Sequence, residues 1–168
     1  MKAIVTVDSR NAIGYKNNLL IKIPEQMEWF KELTYDKIIL MGKNTFLSVY
    51  DQNPLDGRIN IVLSSSLKND ENYDNLIICQ NIDHFIHYMS RFVYVVGGES
   101  VYRQLLPYCD ELYLTRIFHT FPEADSYFPP IDQYFEWELV EKSENKIYNG
   151  YNYRLERYIN RYIVNSII

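Results

Sequence analysis

The stretch that decides the fold is FVYVVGGESVYRQLLPYC, residues 92–109. Its first half, 92–98, is a short run of apolar, mostly β-branched and aromatic residues that ends in two glycines. Such a run, without polar alternation, is typical of a strand that is buried on both faces. The second half, 99–109, has the composition of a helix. The stretch therefore predicts a strand followed directly by a helix.

The same pattern recurs upstream. Apolar runs predict four further strands, at 3–7, 37–42, 59–66 and 75–80. Helices are predicted at 25–34, after 42 with Asn44 or Thr45 as the cap, and at 82–89. In the first helix Met27, Phe30 and Leu33 recur at helical spacing. Residues 8–18 are rich in turn formers and predict a loop.

Beyond residue 110 strands dominate, at 111–121, 134–144 and 146–159, with Asn149–Gly150 as a turn or a bulge. Alternating strands and helices followed by strands predict an α/β fold. We expect one domain over 1–168: a central, mostly parallel sheet with antiparallel C-terminal strands, flanked by about four helices. Residues 158–168 are predicted to be an additional tail, either a terminal strand or a short helix packed on the body, with a dimer contact as the alternative.

The composition restricts the class of protein. With 168 residues, 47% hydrophobic and 23% charged, the chain is typical of a soluble globular domain. Its net charge of −5 argues against nucleic-acid binding, which requires a basic surface. Cys79 and Cys109 match no metal or redox spacing and are expected to be buried thiols. Without a leader-like start or an apolar run long enough to span a membrane, we expect a cytoplasmic monomer.

Three predicted strands end in residues that suit an anion. Gly42–Thr45 follow the strand 37–42, three serines at 64–66 follow the next, and Gly97–Gly98 end the strand of the opening stretch. Ligands bind at this edge of a parallel sheet, and helix N-termini attract phosphate. Taken singly, these features are equally typical of a turn, solvated serines and a surface lysine. Since neither the dinucleotide glycine fingerprint nor the phosphate loop occurs, the residues alone predict only an anion or nucleotide site.

In combination these segments resemble dihydrofolate reductase, from about residue 3 to 157. The matching segments, in order, are VDSRNAIG (7–14), EWFKELT (28–34), ILMGKNTFLSV (39–49), GRINIVLSS (57–65), VYVVGGESVYRQLLP (93–107), ELYLTRI (111–117) and ADSYFP (124–129). The resemblance implies that NADPH delivers a hydride to the pteridine ring of dihydrofolate, whose N5 takes a proton. No metal is implied.

The resemblance also implies a role for each matching residue. The substrate would contact an apolar wall formed by Met27, Phe30, Val49 and Leu55. The backbone carbonyls of Ile4 and Val96 would face its pterin amino group, and Arg58 would pair with the α-carboxylate of its glutamate tail. The cofactor would contact Ala3, Ile13, Gly14, Gly42, Lys43, Asn44, Thr45, Leu63, Ser64, Ser65, Gly97, Gly98, Glu99, Ser100, Val101 and Tyr102. Lys43 would bind the 2′-phosphate, and the bond between the two glycines would be cis.

The catalytic positions of the family correspond to Gln26, Ile21, Thr115 and Tyr102, and two of them depart from its pattern. Gln26 stands where the family has Asp or Glu, and Ile21 stands where it has Trp. An amide has no titratable proton near neutral pH, and its NH₂ would face the N3–H of the pterin, a donor against a donor. Glu99 and Ser100 also replace the small residue and the arginine common in the cofactor site.

Three explanations of Gln26 remain open at this point. Glu25 could turn inward, water alone could supply the proton, or the substrate could differ. A different substrate would make the chain similar to the pyrimidine reductase of riboflavin synthesis, although Arg58 and EWFKELT argue against that enzyme. The other alternative is a folate- or nucleotide-binding protein without turnover. Loss of the acid also predicts reduced sensitivity to diaminopyrimidine antifolates such as trimethoprim, because these inhibitors bind protonated against the family's carboxylate.

Overall fold

The structure, a computed structural model, describes residues 1–86, 92–133 and 136–166. The strands are β1 (Lys2–Val7), β2 (Ala12–Tyr15), β3 (Asn18–Leu19), β4 (Ile38–Gly42), β5 (Ile59–Leu63), β6 (Leu76–Cys79), β7 (Val93–Gly97), β8 (Glu111–Ile117), β9 (Ser126–Tyr127), β10 (Trp137–Lys142), β11 (Lys146–Tyr148) and β12 (Tyr151–Asn160). The helices are α1 (Pro24–Thr34), α2 (Lys43–Ser48), α3 (Asp83–Ile86), α4 (Glu99–Leu105) and α5 (Arg161–Ser166).

Nine strands of the described part of the chain form one mixed sheet. The strands β8, β1, β7, β4, β5 and β6 lie side by side and run parallel. The strand β12 pairs antiparallel with β8, and β10 and β11 pair antiparallel with β12. A second, three-stranded sheet contains β2, β3 and β9. The predicted α/β architecture is confirmed.

The central strands are mostly apolar because both faces of the sheet are covered. Successive side chains point to opposite faces. Ile4 belongs to an apolar cluster that includes Phe30 of α1, whereas the next residue, Val5, belongs to the cluster that includes Leu105 of α4. A helix on each face therefore leaves the carboxyl edge of the parallel strands as the open part of the sheet.

The predicted loop at 8–18 contains two strands, β2 and β3. Gly14 pairs with Leu19 and Tyr15 with Asn18, so that two residues form the turn. These residues, Lys16 and Asn17, have φ of 48° and 63°, as in a type I′ hairpin. The strands are too short to show a period of two, which is why the pattern of apolar residues missed them.

A second hairpin divides the predicted strand 146–159 into β11 and β12. Its turn is Asn149–Gly150, with φ of 49° and 81°. Asn-Gly favours this turn because both residues tolerate the left-handed region. Of the two predicted alternatives, the turn is therefore the one that forms.

Several predicted boundaries are wrong. Capping of α2 by Asn44 or Thr45 is one, because β4 passes directly into the helix and Gly42 is the N-cap, without a side-chain cap. The strand predicted to end at residue 66 ends at 63, and the one predicted to end at 121 ends at 117. The helix α4 ends at Leu105 and continues as a 3₁₀ turn, Leu106–Tyr108, since Pro107 cannot extend an α-helix.

Three predicted elements reach beyond the described residues. The helix predicted at 82–89 begins at Asp83, and its residues 87–89 lie outside the described part. Residues 134–135 of the strand predicted at 134–144 lie outside it as well. The predicted tail begins too early, since β12 extends to Asn160; the described remainder is the short helix α5.

Both cysteines are free and buried, as predicted. Within the described ranges, no helix has the length and apolar character that a membrane crossing requires.

Candidate functional site

Two connected clefts open where β1, β4, β5 and β7 end. The larger cleft has a volume of about 650 Å³ and the smaller cleft about 410 Å³. They share the lining residues Val5, Thr6, Ile13, Leu19, Thr45, Val49, Val96 and Tyr102. Two ligands bound at this edge would therefore be in contact with each other, which suits a transfer between them.

The larger cleft contains most of the residues predicted to hold a cofactor. They are Ile13, Gly14, Gly42, Lys43, Asn44, Thr45, Leu63, Gly97, Gly98, Glu99, Ser100, Val101 and Tyr102. The Gly97–Gly98 bond is cis, as the resemblance implies. Gly97 has φ of 117°, and a Cβ there would lie 3.3 Å from the ring of Tyr102. A side chain at this position would therefore be strained, which is why the end of β7 is glycine.

The register of β7 explains how Val96 reaches both clefts. Leu40 of β4 pairs with Val95, but the next residue, Met41, pairs with Gly97. The extra residue, Val96, is a bulge, and bulges next to active sites redirect a side chain.

Three residues predicted to contact the cofactor are not among the lining residues. Ala3 is completely buried in the core, because its side chain faces away from that of Ile4. The hydroxyl of Ser64 accepts hydrogen bonds from the N–H groups of Ser66 and Leu67 and closes the turn after β5. Ser65 is exposed beside this turn. A phosphate role for these serines remains a prediction.

Lys43 provides the positive charge at the start of α2. Its Nζ donates a hydrogen bond to Ser66 Oγ at 2.8 Å and lies at the exposed rim of the larger cleft. The hydroxyl of Ser66 thus holds the lysine in place. Ser66, one of the three serines predicted to suit an anion at this strand end, does not line the larger cleft. The cleft is also lined by residues that were not predicted from the sequence: Asn17, Asn18, Arg103, Gln104 and Ser126.

The smaller cleft contains every residue predicted to bind the substrate. They are Ile4, Met27, Phe30, Val49, Leu55, Arg58 and Val96, together with Ile21, Gln26 and Tyr102. Residues that sequence reasoning missed also line it: Thr6, Lys22, Glu28, Lys31 and Tyr50. Of these, only Glu28 and Lys31 carried a signal, since they belong to EWFKELT.

Arg58 brings a positive charge into this largely apolar cleft. Its Nε donates to Thr34 Oγ1 at 2.8 Å, and its two terminal nitrogens donate to the carbonyls of Asp56 and Lys31. Burial lowers the pKa of the guanidinium from its usual value. No ion pair to it is found among the described residues. An anchored guanidinium without a protein carboxylate is suited to a carboxylate of the ligand.

A fully buried amide, Asn60, holds the segment that carries Arg58. Its Oδ1 accepts the N–H of Leu55 at 2.9 Å. Its Nδ2 donates to the carbonyls of Leu55, Arg58 and Asn75 at 3.0, 3.2 and 3.3 Å. Asn60 therefore positions two residues of the smaller cleft.

We expect Asn60→Asp to destabilise the protein by about 3 kcal/mol, because a carboxylate cannot donate to these carbonyls and its charge would be buried without a cationic partner. Urea unfolding measures the loss. The matched control is Asn152→Asp, a change at an exposed residue whose side chain has no hydrogen bond to the described residues, which should shift the free energy of unfolding by less than about 0.5 kcal/mol. Equal effects of the two changes would contradict the role given to Asn60.

Gln26 is half-buried and lines the smaller cleft, and its amide has no hydrogen bond to the described residues. Thr115, which is predicted to be a catalytic position, does not line the cleft. Its hydroxyl is buried and without a hydrogen-bond partner in the described part of the chain. Thr6 is its neighbour in the adjacent strand. A polar group left in this state is costly, so the hydroxyl of Thr115 is suited to a ligand or a water.

Glu25 does not replace the missing acid. Its carboxylate accepts hydrogen bonds from Lys146 Nζ and from Tyr153 Oη, and it does not line the smaller cleft. The hydrogen bond from Lys146, followed by that from Tyr153, lowers the pKa of Glu25. The expectation that Glu25 could turn inward is therefore not met, since the residue is held elsewhere and is a weaker proton donor.

Tyr102 lies between the clefts. Its Oη donates to the carbonyl of Ile4 at 2.6 Å, and its ring packs edge-on against Phe128. Burial raises the pKa of the phenol well above its ordinary value, so Tyr102 is neutral near pH 7. Its hydrogen bond joins α4 to β1.

Known proteins resemble this chain over nearly its whole length. The family model described as dihydrofolate reductase matches residues 1–160. Dihydrofolate reductases of Buchnera aphidicola subsp. Acyrthosiphon pisum and Bacillus subtilis are 34% and 33% identical, over 91% and 92% of this chain and 94% and 91% of theirs. A solved structure of dihydrofolate reductase from Enterococcus faecalis, complexed with NADP(H) and RAB-propyl, has a TM-score of 0.81 at 30% identity and covers 94% of each chain.

Proposed function

The chain belongs to the dihydrofolate reductase family, and we propose on that basis that it reduces 7,8-dihydrofolate to 5,6,7,8-tetrahydrofolate with NADPH. The observation that carries this proposal is the pair of connected clefts. One has a glycine-lined wall and a lysine for phosphate. The other has an apolar wall and an anchored arginine that forms no ion pair with a carboxylate of the described residues.

The residues of the larger cleft fit NADPH. Gly97 and Gly98 allow its diphosphate to approach the backbone, and Lys43 is the cation for the 2′-phosphate. Arg103 offsets the charge of Glu99, and Ser100 offers only a hydroxyl. The preference for NADPH over NADH thus depends mainly on Lys43. When bound, the cofactor supplies the hydride.

The residues of the smaller cleft orient dihydrofolate. Met27 and Phe30 pack against the pterin and the benzoyl group, and Arg58 binds the α-carboxylate of the glutamate tail through two parallel hydrogen bonds. The carbonyls of Ile4 and Val96 face the amino group of the pterin.

Gln26 changes how N5 receives its proton. Its Oε1 accepts a hydrogen bond from the pterin amino group, but its NH₂ meets the N3–H, a mismatch that costs about 1–3 kcal/mol. An amide also lacks the charge that favours a proton at N5. Since Glu25 is held by Lys146 and Tyr153, we propose that water supplies the proton.

NADPH oxidation tests the proposal against its two rivals. Turnover with dihydrofolate supports it. Turnover only with the pyrimidine of riboflavin synthesis would assign the chain to that reaction instead. Tight NADPH binding without any turnover would favour a binding protein.

We expect diaminopyrimidine inhibitors to bind weakly. Their protonated ring pairs with the family's carboxylate, and the loss of that charge-assisted pair at Gln26 costs roughly ten- to a hundred-fold in affinity. The inhibition constant of trimethoprim at neutral pH measures this, with Gln26→Asp as the variant in which affinity should rise. Nanomolar inhibition of the unmodified protein would contradict the expectation.

We further propose a cytoplasmic monomer that binds no nucleic acid. One chain lines both clefts, its net charge is −5, and its two cysteines are free thiols, as is usual in a reducing compartment.

A further inference from the structure

Glu99 is the first residue of α4 and lines the larger cleft. Its two carboxylate oxygens have different partners. Oε1 accepts hydrogen bonds from Nε and Nη2 of Arg103, at 3.2 and 2.9 Å. Oε2 accepts one from the backbone N–H of Tyr127 at 2.9 Å. We call these three residues the Glu99 bridge.

The Tyr127 end of the bridge belongs to the three-stranded sheet. Tyr127 pairs with Ala12 of β2, and Ser126 pairs with Gly14. Ser126 and Gly14 line the larger cleft, as does Asn18 of β3. The carboxylate of Glu99 therefore joins the helix that forms one wall of the cleft to the sheet that forms another.

The Arg103 end of the bridge balances charge. A carboxylate at the first turn of α4 lies where a diphosphate would bind, and the two negative charges would repel each other. The side chain of Arg103 is 59% exposed, so its ion pair with Glu99 contributes little to stability. Arg103 instead makes the electrostatic potential in the larger cleft less negative, which favours an anionic ligand.

We propose that Glu99 is a positioning residue that holds the β2–β3–β9 sheet against the cofactor cleft and slows cofactor release, while Arg103 neutralises its charge. The inference rests on the proposed binding of NADPH. Glu99 acts through the backbone of Tyr127 and touches no reacting atom.

Three variants separate the two ends of the bridge, and stopped-flow displacement of NADPH measures its dissociation rate. Glu99→Ala should release NADPH about ten-fold faster, because the hydrogen bond to Tyr127 is lost. Glu99→Gln retains an acceptor for Tyr127 and should stay within about three-fold of the unmodified protein. Arg103→Leu should weaken NADPH binding at low salt and not at high salt, because salt screens the uncompensated charge of Glu99.

Amide exchange of Tyr127, followed by NMR without any ligand, tests the bridge independently of the cofactor. The amide should exchange at least about ten-fold faster in Glu99→Ala and remain protected in Glu99→Gln. Unchanged exchange in Glu99→Ala would overturn the proposal, as would an unchanged NADPH dissociation rate. Failure of the unmodified protein to bind NADPH would refute the proposed function and the role in cofactor release, and the exchange measurement would then decide whether the bridge holds the sheet.

Discussion

Arg58→Leu is expected to raise the KM for dihydrofolate about a hundred-fold, with kcat nearly unchanged. The change removes a paired, partly desolvated charge from the substrate complex, and such losses cost about 2–5 kcal/mol. In the proposed complex, Arg58 contacts the tail of the substrate and not its reacting ring. The lost interaction is therefore the same in the ground state and the transition state, which is why KM changes and kcat does not.

Two further variants test whether the increase in KM depends on the guanidinium of Arg58. Arg58→Lys keeps the charge but not the planar fork, so its KM should lie between those of Arg58→Leu and the unmodified protein. Arg161→Leu, in the distant helix α5, should leave KM unchanged. Because Arg58 also donates to Thr34 and to two carbonyls, unfolding curves must accompany the kinetics. A KM for Arg58→Leu within about three-fold of the unmodified value would contradict carboxylate binding by Arg58.

Gln26→Asp is expected to increase hydride transfer at neutral pH by at least about ten-fold. A carboxylate accepts hydrogen bonds from both pterin donors, and its charge favours the proton at N5; general acid–base and electrostatic effects of this kind contribute about 10²–10⁴. Ile21, where the family has a tryptophan that binds a water, limits the gain. Single-turnover absorbance changes of NADPH measure the rate directly.

Glu28→Gln is the matched control for Gln26→Asp. Glu28 also lines the smaller cleft, on the same helix. If water supplies the proton, the loss of this carboxylate leaves the rate of hydride transfer unchanged. A large drop in Glu28→Gln, combined with no gain in Gln26→Asp, would identify Glu28 as the proton source and would contradict protonation by water.

The strands and helices could be predicted from the sequence where their segments are long and apolar. The strands predicted at 37–42 and 92–98 and the helix predicted at 25–34 form within one residue of each predicted boundary, because the apolar pattern of each lies in neighbouring residues. The two-residue strand β3 has no detectable period, so only the turn chemistry of Asn17 could have indicated it. The start of α2 was misplaced because Gly42, not a polar side chain, precedes it.

The candidate site was predictable where a motif fixes a residue next to a strand end, as for Gly97 and Arg58. It was not predictable where partners are distant in sequence. Glu25 meets Lys146 across 121 positions, and this contact removes Glu25 as a substitute acid. Similarly, no pattern in the chain brings Glu99 to Tyr127.

The pH dependence of hydride transfer from NADPH to dihydrofolate, in single turnovers of the unmodified protein, tests the central claim most directly. We predict a rate that increases continuously as the pH falls, because Gln26 does not titrate and solvent protonates N5 before hydride transfer, so that the protonated fraction of dihydrofolate grows toward acid pH. In Gln26→Asp the same profile should acquire the titration of the new carboxylate. A rate independent of pH, or no hydride transfer at any pH, would contradict the proposal that this chain reduces dihydrofolate with a proton from solvent.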